Sequence, residues 1–349
     1  MVSAQRATIQ DVAVLSGLSI CTVSRALRNL PNVSEKAHRK VAEAAEKLGY
    51  RASSAAARLA GGSTGSIAII APTATAWFFA QAVESAEEVF ADGGHDTVLV
   101  SLRNNADVRS RVFADLAALR QRVDGVLLLN VDLDAEEIDA LAGSGLAVAS
   151  VGMSGVPWDN VGIDDEHAAW AATSHLLELG HWDLAVLSGR ELGGHSVRTS
   201  NNRLDGFSRA LAEHDLTVHP DLVVNAGSSI EGGRSAMTEL IAHRGLPSAL
   251  FADCDEIAFG ALMALREHGL GAPKDVSVIG IDDHPMSWFL GLSTVAQPVA
   301  DQGAFAANLL CERLLNPEQD HQPTSHFLDT KLIERKTTRR KRRTDKNHD

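Results

Sequence analysis

Two sets of residues have types and spacing that could do chemistry. In the body of the chain, Trp77, Phe78, Asp164, Arg203, Asp255, Asp283 and Trp288 stand just after apolar runs or on the segments that follow them. Carboxylates and a guanidinium hold hydroxyl groups through paired hydrogen bonds, while aromatic faces cover the apolar C–H side of a sugar ring. A small neutral sugar or polyol suits such a lining. Near the N-terminus, Ile20, Cys21, Ser24, Arg25 and Arg28 recur at helical spacing on one face. Arg25 can donate two parallel hydrogen bonds to a guanine edge, and Ile20 and Cys21 can offer apolar contact, for instance to a thymine methyl.

Catalytic alternatives find less support. Adjacent Asp164-Asp165 and Asp282-Asp283 invite an acid/base reading. Neighbouring side chains on an extended segment point to opposite faces, so one member of each pair is expected to bind or cap rather than share a catalytic dyad. Gly61-Gly62-Ser63-Thr64-Gly65 matches the pattern of a nucleophile elbow. That motif needs a strand before it and a helix after it, whereas here a helix precedes and a strand follows, which suits a flexible linker. No G-x-x-x-x-G-K, G-x-G-x-x-G or H-E-x-x-H occurs, and the 14 histidines are scattered. No enzyme, cofactor or metal is expected.

The elements that position these residues can be read from periodicity. Thr8 caps a first helix from Ile9, with Asp11 at the third position of a capping-box pattern, and Gly17 breaks it. A second helix starts after Ser19 and runs through Thr22, Val23, Ala26 and Leu27; a third starts after Ser34 and ends at Gly49. Val12, Ala13, Leu18, Val23 and Leu27 would pack between them. Residues 8–29 thus fit a helix-turn-helix whose second helix enters the DNA major groove. Residues 51–62 are rich in Ala and Ser and read as a marginal helix and linker, with Leu59 able to wedge between base steps in a minor groove.

From Ser66 the pattern changes to short apolar strands alternating with helices. Ile67–Ala71, Val98–Val100, Gly125–Leu129 and Ala147–Val151 form a first set; Leu184–Leu187, Leu222–Val224, Ala249–Ala252 and Val276–Ile281 form a second. Two doubly wound parallel-sheet units in series are expected, with ligand beyond the carboxyl ends of their strands.

Length and charge agree. The chain has 349 residues, 45% hydrophobic and 22% charged, enough for two to three domains. Its net charge of −13 is unevenly spread: residues 1–62 carry +5, residues 335–349 carry +6 and residues 63–334 carry −24. A basic head on an acidic body suggests that one end meets a polyanion and that the body does something else. Residues 335–343, with seven basic residues in nine, read as a disordered solvated tail. Cysteines at 21, 254 and 311 form no disulfide framework. No run approaches the ~18 apolar residues of a membrane span, and Met1–Gln10 has no apolar signal segment. A cytoplasmic protein with no membrane partner is expected.

The residues also carry a resemblance. Thr8-Ile9-Gln10-Asp11-Val12-Ala13, Gly17-Leu18-Ser19, Thr22-Val23-Ser24-Arg25-Ala26-Leu27 and Leu48-Gly49-Tyr50 resemble the head of a LacI/GalR-family transcription regulator. Phe78-Phe79, Gln121-Arg122-Val123-Asp124-Gly125, Leu179-Gly180-His181, Arg203-Leu204-Asp205-Gly206-Phe207 and Val276 to Asp283 continue it in the family's order, from about residue 7 to 338. The resemblance implies a small all-α helix-turn-helix head and an α/β core of two doubly wound parallel-sheet subdomains, periplasmic-binding-protein-like. It implies a homodimer, with further pairing to a tetramer left open, that binds a pseudo-palindromic operator and a small effector. Thr8, Ser19, Ile20, Cys21, Thr22, Ser24, Arg25 and Arg28 would contact DNA, Ala56 and Leu59 would face the minor groove from a hinge helix, and Arg203 and Asp255 would hold the effector. The family's usual Asn before that aspartate is Cys254 here, and Ala52-Ser53 stands where Pro-Asn is usual before the hinge.

The expected domains are a head at 1–50, a hinge and linker at 51–64, a core at 65–336 and a basic tail at 337–349. Within the core, one subdomain would take 66–163 plus 295–324, and the other 164–294 plus 325–336. The rival reading is a cytoplasmic sugar-binding protein or sugar-acting enzyme that keeps the helical head for assembly.

Overall fold

The computed structural model describes residues 7–27, 33–48, 63–189, 197–317 and 322–341. An N-terminal unit ends at Gly65, and a second takes nearly all residues from Ser66 onward. The first holds α1 (Ile9–Ser16), α2 (Ile20–Leu27) and α3 (Glu35–Leu48). Thr8 and Asp11 close the expected capping box, the Asp11 carboxylate accepting from the Thr8 backbone N–H at 2.8 Å. Those bonds from Thr8 hold the Asp11 carboxyl below its ordinary range. Gly17 ends α1 at φ +68°, a left-handed conformation that favours glycine. Ser19 then starts α2 by accepting from the Thr22 N–H at 3.1 Å. Val12, Ala13, Val23, Ala26, Val41 and Ala44 form the small core, with Leu18 and Leu27 at its margin. Three helices thus pack around one apolar stripe of each, as the spacing demands.

The second unit contains two six-stranded sheets. The first sheet is built from β1 (Ser66–Ala71), β2 (Asp96–Ser101), β3 (Gly125–Leu129), β4 (Ala147–Val151), β5 (Asp159–Gly162) and β11 (Ser325–Phe327), in the order β11-β5-β4-β3-β1-β2. All its pairings are parallel. The second has β6 (Leu184–Ser188), β7 (Val223–Asn225), β8 (Ala249–Ala252), β9 (Ser277–Asp282), β10 (Ser293–Ala296) and β12 (Lys331–Ile333), in the order β12-β10-β9-β8-β6-β7. Only β12 is antiparallel to its neighbour. Central strands such as β3 and β8 are buried along their whole length, which is why they read as unbroken apolar runs.

Helices cover the sheets. On the first lie α4 (Trp77–Asp92), α5 (Ala106–Ala114), α6 (Leu116–Arg120), α7 (Ala135–Ala142) and, from late in the chain, α13 (Val299–Leu315). On the second lie α8 (Asp165–Glu178), α9 (Val197–Ala212), α10 (Ile230–Arg244), α11 (Asp255–Glu267) and the short α12 (Pro285–Leu290). Phe79, Phe90 and Leu310 pack on the first sheet; Met237, Ile257 and Leu265 pack on one face of the second, and Leu176 and Phe207 on its other. α10 and α11 approach closely at a pair of glycines. A Cβ on Gly260 would lie 1.9 Å from the Ile230 carbonyl oxygen, and one on Gly233 2.2 Å from that of Ile257.

The expected strand sets are present, and the subdomain boundaries are corrected by a few residues. β10 pairs in parallel with β9, so residues 295–296 belong to the second sheet rather than the first. β11 pairs with β5, so residues 325–327 belong to the first sheet rather than the second. The chain therefore crosses between sheets near 163, 297 and 329. Residues 337–341, expected within the solvated tail, are instead packed on the second unit. Thr337 and Thr338 are buried; the Thr337 hydroxyl donates to the Val278 carbonyl at 2.7 Å and the Lys341 N–H donates to that of Leu179 at 2.8 Å. Backbone pairing overrides the charge pattern through residue 341.

Gly260→Ala should destabilise the protein by more than the ~1–3 kcal/mol usual for overpacking, because the clash is with backbone rather than a flexible side chain. Urea unfolding checks this, and a loss below about 0.5 kcal/mol, the scale of a harmless surface change, would show that the crossing yields.

Candidate functional site

Both sheets direct the carboxyl ends of their parallel strands at one cavity. Thr73 follows β1, Asn104 β2, Asn130 β3, Gly152 β4 and Ile163 β5; Gly189 follows β6, Ser228 β7, Asp253 β8 and Gln297 β10, while Asp282 ends β9. Each sheet reverses its winding there, between β1 and β3 and between β6 and β8. Crevices of this kind are where doubly wound sheets bind ligands.

Arg203, on the first half of α9, lies at the centre and is 7% exposed. Its Nε and Nη2 both donate to Asp165 Oδ1 at 2.8 Å, and Nη1 donates to the Asp253 backbone carbonyl. Burial opposes its charge, but Asp165, Asp282 and Asp253 around it keep the guanidinium fully protonated. One Asp253 oxygen, Oδ2, accepts from the Gly189 N–H at 2.6 Å. Asp282 Oδ1 accepts from Gln297 Nε2 at 2.6 Å, and Gln302 in turn donates to Gln297 at 3.0 Å. Burial pushes the Asp282 carboxyl up to about 7, with Glu256 adding to the shift and Arg203 opposing it. The backbone at Asp282 and Asp283 has φ +137° and +61°, a region that costs non-glycine residues roughly 1–3 kcal/mol.

Direct contacts link the two halves of this unit across the cavity. Thr199 Oγ1 donates to Asn130 Oδ1 at 2.8 Å, and the Arg198 guanidinium donates to the Ser154 carbonyl. The Trp77 and His284 rings lie 5.0 Å apart, and the Glu256 carboxylate accepts a hydrogen bond from the Trp77 backbone.

Of the expected cleft residues, Phe78 and Arg203 line the cavity. The others do not. Asp164 is exposed and caps α8, accepting from the His167 N–H at 2.8 Å, while its neighbour Asp165 faces the cavity. Asp283 pairs with Arg335 at 2.5 Å, and it is Asp282 that faces inward. Asp255 is wholly buried beneath the lining, accepting from Ser287 Oγ at 2.6 Å, Thr294 Oγ1 at 2.7 Å and the His284 N–H at 2.9 Å. Burial and the nearby Asp282 push its carboxyl well up. Trp77 packs on His284, and Trp288 is 71% exposed on α12. In each acidic pair one member caps or pairs and the other faces inward, but the inward one is the unexpected member. Asn130, Thr199, Asp253 and Glu256 were not anticipated; their signal is position, just after an apolar strand or at the start of a helix.

On the head, Ile20 is 47% exposed at the start of α2, Ser24 and Arg25 are half-buried, and Thr8, Ser19 and Thr22 cluster at the helix starts. Arg28, Ala56, Leu59 and the Cys21 side chain lie outside the described residues. Among the described residues no helix is long and apolar enough to cross a membrane, and no group of three or more His, Cys, Asp or Glu could hold a metal ion.

Residues 8–53 match the family described as bacterial regulatory proteins, lacI family, and residues 173–338 match the periplasmic binding protein-like domain. The chain is 33% identical over 339 residues to the HTH-type transcriptional repressor PurR of Haemophilus influenzae (strain PittEE), covering 95% of this chain and 99% of that protein. Its fold is similar to the lac repressor dimer bound to operator and the anti-inducer ONPF, with TM-score 0.82, 25% identity and coverage of 96% and 100%. A transcriptional regulator CelR–cellobiose complex superposes with TM-score 0.70 at 27% identity, covering 95% and 100%.

The raised Asp282 carboxyl means that the folded state holds a proton the unfolded chain releases near pH 4. The Asp282 contribution to stability therefore falls as pH rises from about 4 to about 7 and is level above that. Asp282→Asn should remove this slope, so the wild-type melting temperature minus that of the variant should drop across the window. Parallel profiles would contradict the assignment.

Proposed function

This chain belongs to the LacI family of bacterial regulatory proteins and is a DNA-binding transcriptional repressor; from that premise we propose that a small sugar or polyol in the cavity sets its affinity for operator DNA. The observation that carries the proposal is the convergence of ten strand ends on one pocket that a buried Arg203–Asp165 pair and the Phe78 ring both line. Fixed charged groups orient hydroxyls through directional bonds, and an aromatic face covers what is apolar. The cellobiose complex of the CelR regulator supports the same ligand class. A sugar-acting enzyme is not favoured by the regulators that this chain matches.

Ile20, Cys21 and Arg25 are the proposed base readers on α2, and Thr8, Ser19, Thr22 and Ser24 the proposed backbone contacts beside them, with Arg28, Ala56 and Leu59 extending the surface. The protein acts in the cytoplasm as a homodimer on a pseudo-palindromic operator, because one eight-residue reading helix covers too few base pairs to specify a site. Met286, Trp288, Phe289 and Leu290, all exposed on α12, supply an apolar surface for the second copy. The lac repressor, of similar fold, is a dimer on its operator.

The cavity and the head are coupled as two sites of one equilibrium. Ligand changes the relative stability of closed and open arrangements of the two sheets, and each arrangement has its own affinity for operator. A coupling of about 1–3 kcal/mol changes that affinity roughly 5–150-fold. Thr199–Asn130 and Trp77–His284 are contacts that an opening would break.

Arg25→Ala should cost about 1–3 kcal/mol at one base position per half-site and relax specificity there. Binding titrations on single-base operator variants measure it; uniform weakening on every sequence would make Arg25 a phosphate contact instead. Arg203→Met should abolish the response of operator binding to a small-molecule cell extract while leaving operator binding itself in place. A gel-shift dose response equal to wild type would overturn the cavity assignment.

A further inference from the structure

Among its described lining residues the cavity carries more carboxyl groups than cations. Asp165, Asp253, Asp282 and Glu256 all line it, against Arg203 alone among the described lining residues. Three of the five Arg203 N–H groups go to Asp165 and to the Asp253 backbone carbonyl, and the guanidinium acts on the Asp253 side chain through its charge rather than through a described hydrogen bond. That side chain is 3% exposed. Its Oδ2 is held by Gly189, with Ser188 Oγ at 3.5 Å, and the Ser200 hydroxyl also leans on the carboxylate. Its Oδ1 is buried and accepts no hydrogen bond from the described residues.

A buried carboxylate oxygen without a donor costs free energy, and a neutral polyol would supply a hydrogen bond but leave the excess charge in place. A ligand cation supplies both. We propose that the effector carries a protonated nitrogen, as an amino sugar or other amine-bearing polyol does, and that this nitrogen seats on Asp253 Oδ1. The inference rests on reading the cavity as the effector site and narrows the ligand class within that reading. Anionic ligands such as sugar phosphates are disfavoured by the same field.

The groups facing this nitrogen are Asp253, Asp165, Asp282, Glu256 and Arg203, with Asp255 and the His284 ring behind them. All four lining carboxyls are pushed up by burial, Asp282 to about 7, so as pH falls protons compete with the cation for these oxygens. Binding of a cation therefore releases protons and strengthens as pH rises from 6 to 8.

The test uses the full chain and a small-molecule extract of the source bacterium, divided on a cation exchanger at pH 7 into retained and unretained fractions. Thermal unfolding and operator binding are read with each. The expected result is activity in the retained fraction alone, strengthening from pH 6 to pH 8. Asp253→Asn should weaken that response about tenfold or more with operator binding intact, as truncating one side of a buried charge pair does. Should the variant fail to bind operator, the pH series on wild type decides by itself. Activity confined to the unretained fraction, or a retained-fraction response that weakens with pH, would overturn the protonated nitrogen and leave the sugar or polyol reading standing. Activity in neither fraction would overturn the reading of the cavity as an effector site, and this inference with it.

Discussion

Arg203 is the sole cation among the described residues of an acidic cavity, and the arrangement of the surrounding elements depends on it. It draws the start of α8 inward through Asp165 and fixes the end of β8 through the Asp253 carbonyl. Without it, three buried aspartates would face one another with no opposing charge, a broken buried pair costing about 3–5 kcal/mol and driving the carboxyls to take up protons. Gln297 and Gln302 extend the same network from Asp282 to α13, which packs on the other sheet. A ligand that alters the charge at this point thereby acts on helices from both halves at once.

Much of this fold was legible because the local signals are strong. The capping box at Thr8, the glycine at 17 and the apolar period of residues 9–48 leave a small helical unit little alternative. Buried parallel strands announce themselves as apolar runs. β5, β10, β11 and β12 did not, since each has only three or four residues and owes its conformation to pairing with a distant strand. The same long-range pairing seats Thr337 and Thr338 against β9 and β10, where composition suggested a solvated tail.

The site was legible to within one or two residues. An N-cap consumes Asp164, so the next carboxylate turns inward; at the end of β9 the turn reverses the choice, and Asp283 leaves for Arg335. Asp255 sits two residues beyond Asp253, but α11 begins between them and swings it under the lining. Which of two adjacent acids faces a ligand depends on where the strand stops and the helix starts, and boundaries are the least certain part of any sequence reading. The strand ends located the cavity, and the resemblance of the segment around Arg203 agreed with it.

The acidic body and the basic head divide the work. A net charge of −24 over residues 63–334 discourages the body from meeting phosphate, while the head's +5 favours it. Contacts such as Thr199–Asn130 join the two halves across the cavity by single hydrogen bonds, each worth about 0.5–1.5 kcal/mol. That is the scale on which a small ligand can shift an equilibrium between arrangements.

Selection of bound fragments from sheared genomic DNA, in paired samples with and without the small-molecule extract, tests the link between cavity and head most directly. It should be run at about 0.15 M salt, where non-specific phosphate binding is suppressed. The expected result is one pseudo-palindromic sequence whose recovery differs between the two samples. Recovery without sequence preference, or a palindrome recovered equally in both, would contradict a repressor governed by its cavity.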